Sequence, residues 1–413
     1  MDVFQSRHQS LFLICFLLVG LLNTGCSAIK GGSMVRGGSP QSILTSDESV
    51  QAEQMAHLLT VKVRVDDSPE DLTFMVDTGA LTVIDEQVAK RFAFKDSVTN
   101  KVADSAGNKK DVRLVQANRI SVGKAAVSDC AAAVVDLKKY APNIDGLLGS
   151  NFLRFFTVQL DYRNQRVTFL GKSEGRSFDG AMKLPMWKNM KFGFAPTMKC
   201  ELDGSVTLDC MIDTGHDAIA SFPLSTLDKL PHFKTGEYIS SNGSMGAGVF
   251  GKDTESYLVK TDRIASGPII IENAAIVSNR FEDVMTLGAA YLKNFMVTID
   301  YPASLLYLKP FDDRHLEKEM MSYGFAVSYE KGKAIVSGLW KGSAADKAGL
   351  SVGDELIALN GRVTAGMSLF DIMRITKSSE TLSISYIKGS SGNKSELTLR
   401  KGDLTLLFPR SPS

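Results

Sequence analysis

Two copies of the tripeptide Asp-Thr-Gly constrain this chain more than any other feature of its sequence. The first copy is 77–79 and the second is 213–215, and each directly follows an apolar run that predicts a β-strand. At ordinary residue frequencies, one copy of so short a word arises by chance in about a tenth of chains of this size. Two copies in the same local setting are much harder to obtain by chance, and they indicate a repeated unit.

Further matches in the same order support an internal duplication. Leu147-Leu148-Gly149 recurs as Thr286-Leu287-Gly288, and the run 156–162 recurs as 295–301. The offset between copies is 136 residues at the first motif (77 to 213) and 139 at the other two (147 to 286 and 156 to 295). An ordered series of matches at a nearly constant offset predicts two related lobes. We place lobe 1 at 47–172 and lobe 2 at 173–316.

The two aspartates suit a reaction that needs a pair of carboxyl groups. Peptide hydrolysis without a covalent intermediate requires a base to activate water and an acid to protonate the amide. Two carboxyl groups about 3 Å apart share one proton, because both cannot ionise comfortably. Asp77 and Asp213 are therefore the predicted catalytic residues, and neither has a fixed role since the titration belongs to the pair. The alternative for each motif is a simple turn.

The residues beside the aspartates are predicted to hold the two loops in register. Thr78 and Thr214 are placed to hydrogen-bond across the junction, while Gly79 and Gly215 permit a close backbone approach. Ala80 follows the first motif and His216 follows the second. His216 either perturbs the proton affinity of the pair or points to solvent, and we favour the second reading.

These motifs resemble those of retropepsin-type aspartic peptidases, here fused as a pseudo-dimer over about 47–312. The resemblance implies a mainly β fold, the pepsin/retropepsin-like double-lobed acid-protease fold. It also implies a bacterial endopeptidase that acts on peptides or exported proteins with no metal or cofactor. Thr286 and His216 depart from the family's pattern. The resemblance rests on the segments Val76–Ala80, Ile212–Gly215, Leu147–Gly149 and Thr286–Gly288.

The family closes its active site with glycine-rich hairpin flaps, which exclude water from the reaction. Ala106 and Gly107 are the flap candidates of lobe 1. Gly243, Gly246 and Gly248 are the candidates of lobe 2. An ordinary surface turn is the alternative reading of both segments.

Residues 317–402 resemble an α+β bacterial PDZ domain, most specifically from Gly342 to Gly361, and 403–413 are predicted as a C-terminal tail. PDZ domains bind an extended peptide at a sheet edge beside a helix, so a peptide segment or C-terminus is the predicted partner. We expect this domain to recruit long substrates. For Leu369 and Met373, core packing is the alternative. The predicted peptide-binding residues are Tyr323, Gly324, Phe325, Ala326, Val327, Leu369 and Met373.

The N-terminus carries an apolar run of 12 residues, Leu11–Leu22, which is shorter than the ~20 residues that span a bilayer. It ends in Thr24-Gly25-Cys26, which resembles a bacterial lipobox although Asn23 stands where the family prefers Leu. We therefore predict a lipoprotein signal over 1–26 with lipid on Cys26, then a flexible tether over 27–46. An ordinary cleaved signal is the alternative. The predicted location is the cell envelope, on the outer membrane or the periplasmic or extracellular face.

Charge and cysteine content exclude some classes of partner and leave others open. The net charge of +1 gives no reason to expect nucleic acid as a partner. Cys130, Cys200 and Cys210 remain after the signal, and the sequence does not decide whether two of them form a disulfide. A monomer is favoured, with an active site formed between two chains as the alternative. A non-catalytic peptide-binding lipoprotein scaffold is the competing function.

Overall fold

The computed structural model describes most of the chain, and it is mainly β, as the sequence predicts. Two lobes related by the duplication and a C-terminal domain follow one another. None of the helices described is long and apolar enough to cross a membrane. The described residues are 13–14, 18–19, 26–41, 43–55, 57–104, 107–171, 175–248, 250–252, 255–279, 284–311, 320–330 and 332–408.

The segment before lobe 1 contains a helix, although the sequence predicts a flexible tether over 27–46. Met34 and Val35 on this helix are buried against lobe 1. The Arg154 guanidinium donates to the carbonyls of Arg36 and Gly37 at 2.7 Å each, which satisfies the end of the helix. The glycines and serines suggested a coil, but two apolar side chains and this cap fix the segment. Its elements are β1 (Leu13–Ile14), β2 (Leu18–Val19), α1 (Cys26–Arg36) and β3 (Ser39–Pro40).

Lobe 1 is built on a sheet whose strand order is β2-β9-β10-β11-β8-β12-β7-β6-β5. In β6, the first four residues are all buried, and from Val61 onward buried valines alternate with exposed Lys62 and Arg64. The elements of lobe 1 are β4 (Glu48–Gln51), β5 (Glu53–Met55), β6 (Leu58–Val65), β7 (Leu72–Asp77), β8 (Val83–Asp85), α2 (Glu86–Ala89), β9 (Asp96–Asp104), β10 (Lys109–Val122), β11 (Ala125–Val135), β12 (Gly146–Gly149), α3 (Ser150–Leu153), β13 (Thr157–Asp161) and β14 (Arg166–Leu170).

Lobe 2 repeats the order of lobe 1, from a hairpin that ends in the second Asp-Thr-Gly motif to a strand that ends in Gly288. The elements of lobe 2 are β15 (Met182–Pro185), β16 (Trp187–Asn189), β17 (Ala195–Leu202), β18 (Val206–Asp213), β19 (Ala220–Pro223), α4 (Pro231–Lys234), β20 (Tyr238–Gly243), β21 (Gly246–Gly248), β22 (Gly251–Lys252), β23 (Tyr257–Ser266), β24 (Ile269–Asn279), β25 (Val284–Gly288), α5 (Ala289–Leu292), β26 (Phe295–Asp300) and β27 (Leu305–Pro310).

A six-stranded sheet joins the two lobes, in the order β15-β27-β26-β13-β14-β4. At its centre β13 of lobe 1 pairs antiparallel with β26 of lobe 2, with Leu160 opposite Val297. These are the two strands that the sequence identifies as copies of each other. The pairing fixes the lobes in a pseudo-two-fold arrangement within one chain.

The C-terminal domain, residues 320–408, contains one amphipathic helix, α7, whose N-terminus is capped by Ser368 and Asp371 in a reciprocal capping box. Leu404 is buried in it, so the predicted tail over 403–413 is packed through at least this residue. An apolar side chain and the pairing of Asp403 with Met321 fix it. The elements are β28 (Met321–Ser322), β29 (Phe325–Glu330), β30 (Lys333–Trp340), α6 (Ala344–Lys347), β31 (Glu355–Leu359), β32 (Arg362–Val363), α7 (Leu369–Ser378), β33 (Thr381–Ile387), β34 (Lys394–Arg400) and β35 (Gly402–Asp403).

The C-terminal domain docks on lobe 2 through a continuous β-sheet. Strand β20 of lobe 2 pairs antiparallel with β30, and Gly243 lies opposite Gly338. A side chain at Gly338 would place its Cβ 2.2 Å from the Ser244 carbonyl oxygen, so only glycine permits this approach. The two units also share a hydrophobic cluster that contains Met245 of lobe 2 and Trp340, which is fully buried.

Candidate active site

The two Asp-Thr-Gly loops meet where the lobes face each other, and the threonines lock them together. The Thr78 backbone N–H donates to Thr214 Oγ1 at 3.1 Å, and the Thr214 N–H donates to Thr78 Oγ1 at 3.0 Å. Each hydroxyl donates in turn to the opposite lobe, Thr78 to the Ile212 carbonyl at 2.6 Å and Thr214 to the Val76 carbonyl at 2.7 Å. Four reciprocal hydrogen bonds therefore fix one loop against the other.

Each aspartate is oriented by the glycine of its own motif. The Gly79 N–H donates to Asp77 Oδ1 at 3.0 Å, and the Gly215 N–H donates to Asp213 Oδ1 at 2.8 Å. A Cβ on Gly215 would lie 2.4 Å from Asp77 Oδ2, so the loop of lobe 2 reaches the carboxyl of lobe 1 only because this residue has no side chain.

The two carboxyl groups are buried and interact directly. Burial raises the pKa of Asp77 well above its usual range, and the charge of Asp213 and a side-chain hydrogen bond with Asp213 raise it further. Two carboxyls in this arrangement can share one proton. One oxygen can then accept a proton from water while the other donates one. Both aspartates lie in one chain, so the site does not need a second subunit.

A strand from each lobe passes through the loop that carries its aspartate. Gly149 ends β12, and a Cβ there would lie 2.2 Å from the backbone of Leu81. Gly288 ends β25, and a Cβ there would lie 2.3 Å from the Ala218 carbonyl oxygen. These glycines explain why the apolar-apolar-Gly element recurs. Thr286 is buried at the strand position that Leu147 has in lobe 1.

Comparisons with known protein families identify two domains in the chain. Residues 61–152 match the family model described as aspartyl protease. The chain contains an aspartyl protease domain. Residues 315–386 match the family model described as PDZ domain, so the C-terminal domain is a PDZ domain. Among solved structures, the crystal structure of Basic 7S globulin from soybean is similar, with 12% identity over 65% of this chain and 95% of its own, and a TM-score of 0.37. No curated protein sequence matches the chain significantly.

The flap candidates lie in two hairpins whose ends touch. In lobe 1 the hairpin of β9 and β10 turns at Gly107, and Ala106 lies outside the described residues. The Phe250 N–H of lobe 2 donates to Asp104 Oδ2 at 2.7 Å. Gly246 and Gly248 bound β21 near that contact, whereas Gly243 is held in the ladder with the PDZ domain and is not at a hairpin tip.

His216 is fully buried in the aspartyl protease domain, so the favoured expectation of a solvent-facing side chain is wrong. The strand ending at Gly288 covers it, and a Cβ on Gly288 would lie 2.7 Å from His216 Cδ2. Burial lowers the pKa of His216 to about 4. The imidazole beside the dyad is therefore neutral near pH 7.

His216→Ala is expected to reduce the loss of the free energy of unfolding that occurs as the pH falls from 6.5 to 4. The folded pKa of about 4 lies below the ordinary 6.5, so the unfolded chain binds more protons between these values. The contribution of His216 to the free energy of unfolding is fully present above pH 6.5. It falls by roughly 3 kcal/mol as the pH drops toward 4. Urea unfolding at pH 4.5 and pH 7 measures it, and an equal pH dependence in wild type and variant would refute it.

The seven predicted peptide-binding residues of the PDZ domain are all buried. Leu369 and Met373 of α7 pack with Phe325 and Val327 in one core cluster, as the core-packing alternative describes. The Gly324 N–H donates to Ser322 Oγ at 3.0 Å. The same cluster also contains side chains of lobe 1, so these residues are buried within the whole chain.

Several residues at the site were not found from the sequence. Ser150 donates to the Thr78 carbonyl at 2.6 Å and lies 2.8 Å from the hydroxyl of Tyr301, which comes from lobe 2. Asp217, two residues after the second glycine, pairs with Lys377 of the PDZ domain. The repeated Asp-Tyr pair at 161–162 and 300–301 was a signal for Tyr301. Nothing local in the sequence connects Asp217 with Lys377.

The three remaining cysteines and the metal-ligating residue types were located in the structure. Cys130, Cys200 and Cys210 are buried and unbridged. Within the described ranges, no group of three or more His, Cys, Asp or Glu side chains has the arrangement of a metal site.

Proposed function

We propose that the chain is an aspartic endopeptidase that hydrolyses peptide bonds through the Asp77/Asp213 dyad. The observation that carries this proposal is the pair of buried aspartates in two loops that reciprocal threonine hydrogen bonds hold together. In the reaction, the ionised carboxyl takes a proton from water as it attacks the scissile carbonyl. The protonated carboxyl hydrogen-bonds the carbonyl oxygen, and a proton then passes to the leaving amine.

Both flap hairpins offer backbone edges that accept an extended chain. Leu13–Ile14 pairs in parallel with Gly246–Ala247 of lobe 2, and Leu18–Val19 pairs antiparallel with Ala103–Asp104 of lobe 1. An extended peptide can therefore be held by main-chain hydrogen bonds, which are independent of its sequence. We propose peptides or unfolded exported proteins as the substrate class.

The test is whether the purified chain cleaves an unfolded protein and whether Asp77→Asn or Asp213→Asn alone stops it. Mass spectrometry of the products identifies the bonds that are cut. A wild-type chain that binds such peptides without cutting them would support a peptide-binding scaffold instead.

We also propose that the chain is a lipoprotein of the cell envelope, anchored through Cys26. The support is the short apolar run before Thr24-Gly25-Cys26. Mass spectrometry of the mature N-terminus is expected to show a lipid-modified Cys26 as the first residue. An unmodified cysteine, or cleavage at another bond, would contradict the anchor.

A further inference from the structure

The PDZ domain reaches the aspartyl protease site through one buried ion pair. Lys377, near the end of α7, donates from Nζ to Asp217 Oδ2 at 2.7 Å. The side chains are 13% and 2% exposed, so solvent screens this pair little. The two residues are 160 positions apart in the chain.

Asp217 belongs to the loop that carries the second catalytic aspartate. Within this loop, the His216 carbonyl accepts from the Ala289 N–H at 2.7 Å, and the Ile219 carbonyl accepts from the Gly288 N–H at 2.9 Å. The backbone of His57 in lobe 1 also interacts with the Asp217 carboxyl. Lobe 1, lobe 2 and the PDZ domain therefore meet at this one side chain.

The duplication provides an internal comparison for Asp217. The equivalent residue of lobe 1, two positions after its glycine, is Leu81, which is buried against lobe 2. Gly193 of lobe 2 lies so close that a Cβ on it would be 2.6 Å from Leu81 Cδ2. Lobe 1 thus secures its loop with an apolar contact, whereas lobe 2 has a carboxylate in the same place.

A buried carboxylate is unfavourable unless a cation compensates for it. Burial raises the pKa of Asp217, and the charges of Lys377 and Lys293 oppose this rise. Lys377 makes the direct contact, and its own backbone carbonyl accepts from Lys401 Nζ at 2.8 Å, which fixes the end of α7. Lys293 of lobe 2 adds positive charge nearby, but the cation in direct hydrogen-bond contact with the carboxylate comes from the docked PDZ domain.

We propose that Lys377 is a positioning residue of the aspartic dyad: through Asp217 it holds the loop of Asp213, so the site is complete only when the PDZ domain is docked. Lys377 touches neither catalytic carboxyl. Its effect is to keep the second motif in register with the first. This inference rests on the proposed peptidase function and adds a residue from outside the two lobes to it.

The experiment compares Lys377→Met, Lys377→Arg and Asp217→Asn in the full-length chain, with exposed Lys388→Met as the matched control. The substrate is a short peptide that fills only the cleft. Lys377→Met and Asp217→Asn are expected to lower kcat by about 10- to 100-fold, because a misplacement of about 1 Å can cost this much. KM is expected to stay within about threefold, since the peptide edges of the flaps are unchanged.

Lys377→Arg and Lys388→Met separate positioning from a general loss of structure. Lys377→Arg keeps the charge and is expected to retain most of the activity, and Lys388→Met all of it. If Lys377→Met does not fold, Asp217→Asn gives the same comparison without a buried unpaired carboxylate. Wild-type kcat in both Lys377→Met and Asp217→Asn, or an equal loss in Lys377→Arg, would overturn the proposal.

Hydrogen exchange distinguishes this proposal from the peptidase function itself. In Lys377→Met, amides of residues 213–219 are expected to exchange faster than in the wild type, while amides of 77–82 are unchanged. This readout needs no catalytic activity. Unchanged exchange at 213–219 would overturn the positioning role even in an active enzyme, and faster exchange in a chain that cuts nothing would refute only the peptidase function.

Discussion

Asp77→Asn and Asp213→Asn are each expected to lower kcat on an unfolded protein by at least about 10²–10⁴-fold, the usual contribution of a general acid or base. An amide can neither take the proton from water nor share a proton with the remaining carboxyl. Because the two carboxyls act as one unit, the double variant is expected to be little slower than either single variant. Product analysis by mass spectrometry with purified variants measures this.

The fold is expected to survive both substitutions. Asparagine keeps the Oδ1 atom that accepts the glycine N–H of its motif. Since the pKa of Asp77 is raised in the folded chain, the ionised form is less favourable there than in the unfolded chain. Asp77→Asn is therefore expected to raise the free energy of unfolding near pH 7 and to have no such effect below the unfolded carboxyl pKa of about 3.9.

Asp209→Asn is the matched control for the dyad variants. Asp209 lies on β18, the strand that ends in Asp213, and is paired with Lys199 on the surface side. Its replacement is expected to leave kcat unchanged. Near-full activity in Asp77→Asn or in Asp213→Asn would mean that the chain does not use one dyad built from both motifs.

Trp340→Ala is expected to destabilise the aspartyl protease domain as well as the PDZ domain, by about 3–5 kcal/mol as for other buried tryptophans. Trp340 is fully buried in the cluster shared with Met245 and Leu258 of lobe 2. Its strand β30 is also the partner of β20. Loss of this side chain removes packing on both sides of the interface, so cleavage of a short peptide should fail at a lower temperature.

The control for Trp340→Ala is Val363→Ala, at an apolar side chain of the PDZ domain that is 61% exposed. This variant is expected to unfold like the wild type. Thermal inactivation on a short peptide, followed beside circular dichroism, measures both variants. Suppose that Trp340→Ala lowered the stability of the PDZ domain alone and that short-peptide cleavage kept its wild-type temperature dependence. The interface with the PDZ domain would then not stabilise the aspartyl protease domain. The expectation of a separate recruiting module would then hold.

The repeated sequence pattern was sufficient to predict the features that are encoded by neighbouring residues. Strands that run into Asp-Thr-Gly and strands that end in Gly149 or Gly288 are encoded by apolar runs and turn residues that lie next to each other. Their repetition was enough to predict two lobes and the residues Asp77 and Asp213. The run from Gly342 to Gly361 was likewise enough for the PDZ domain.

Pairing between distant segments was decided only in the tertiary structure. The sequence did not predict that β20 and β30 join, because any strand edge can pair with another. The composition of 27–46 suggested a coil, but Met34 and Val35 pack against lobe 1 in the structure. His216 was expected at the surface because its burial depends on a strand some 70 residues later.

The ion pair of Asp217 and Lys377 shows the same limit most clearly. In the sequence, each of these charged residues is expected to be exposed to solvent, and 160 positions separate them. A buried charge is stabilised only when an opposite charge lies beside it. The role of Asp217 therefore depends on the position of the whole PDZ domain, which carries Lys377. The sequence determined which carboxyls could perform the chemistry, and the packing of three units decided which further side chains hold them in place.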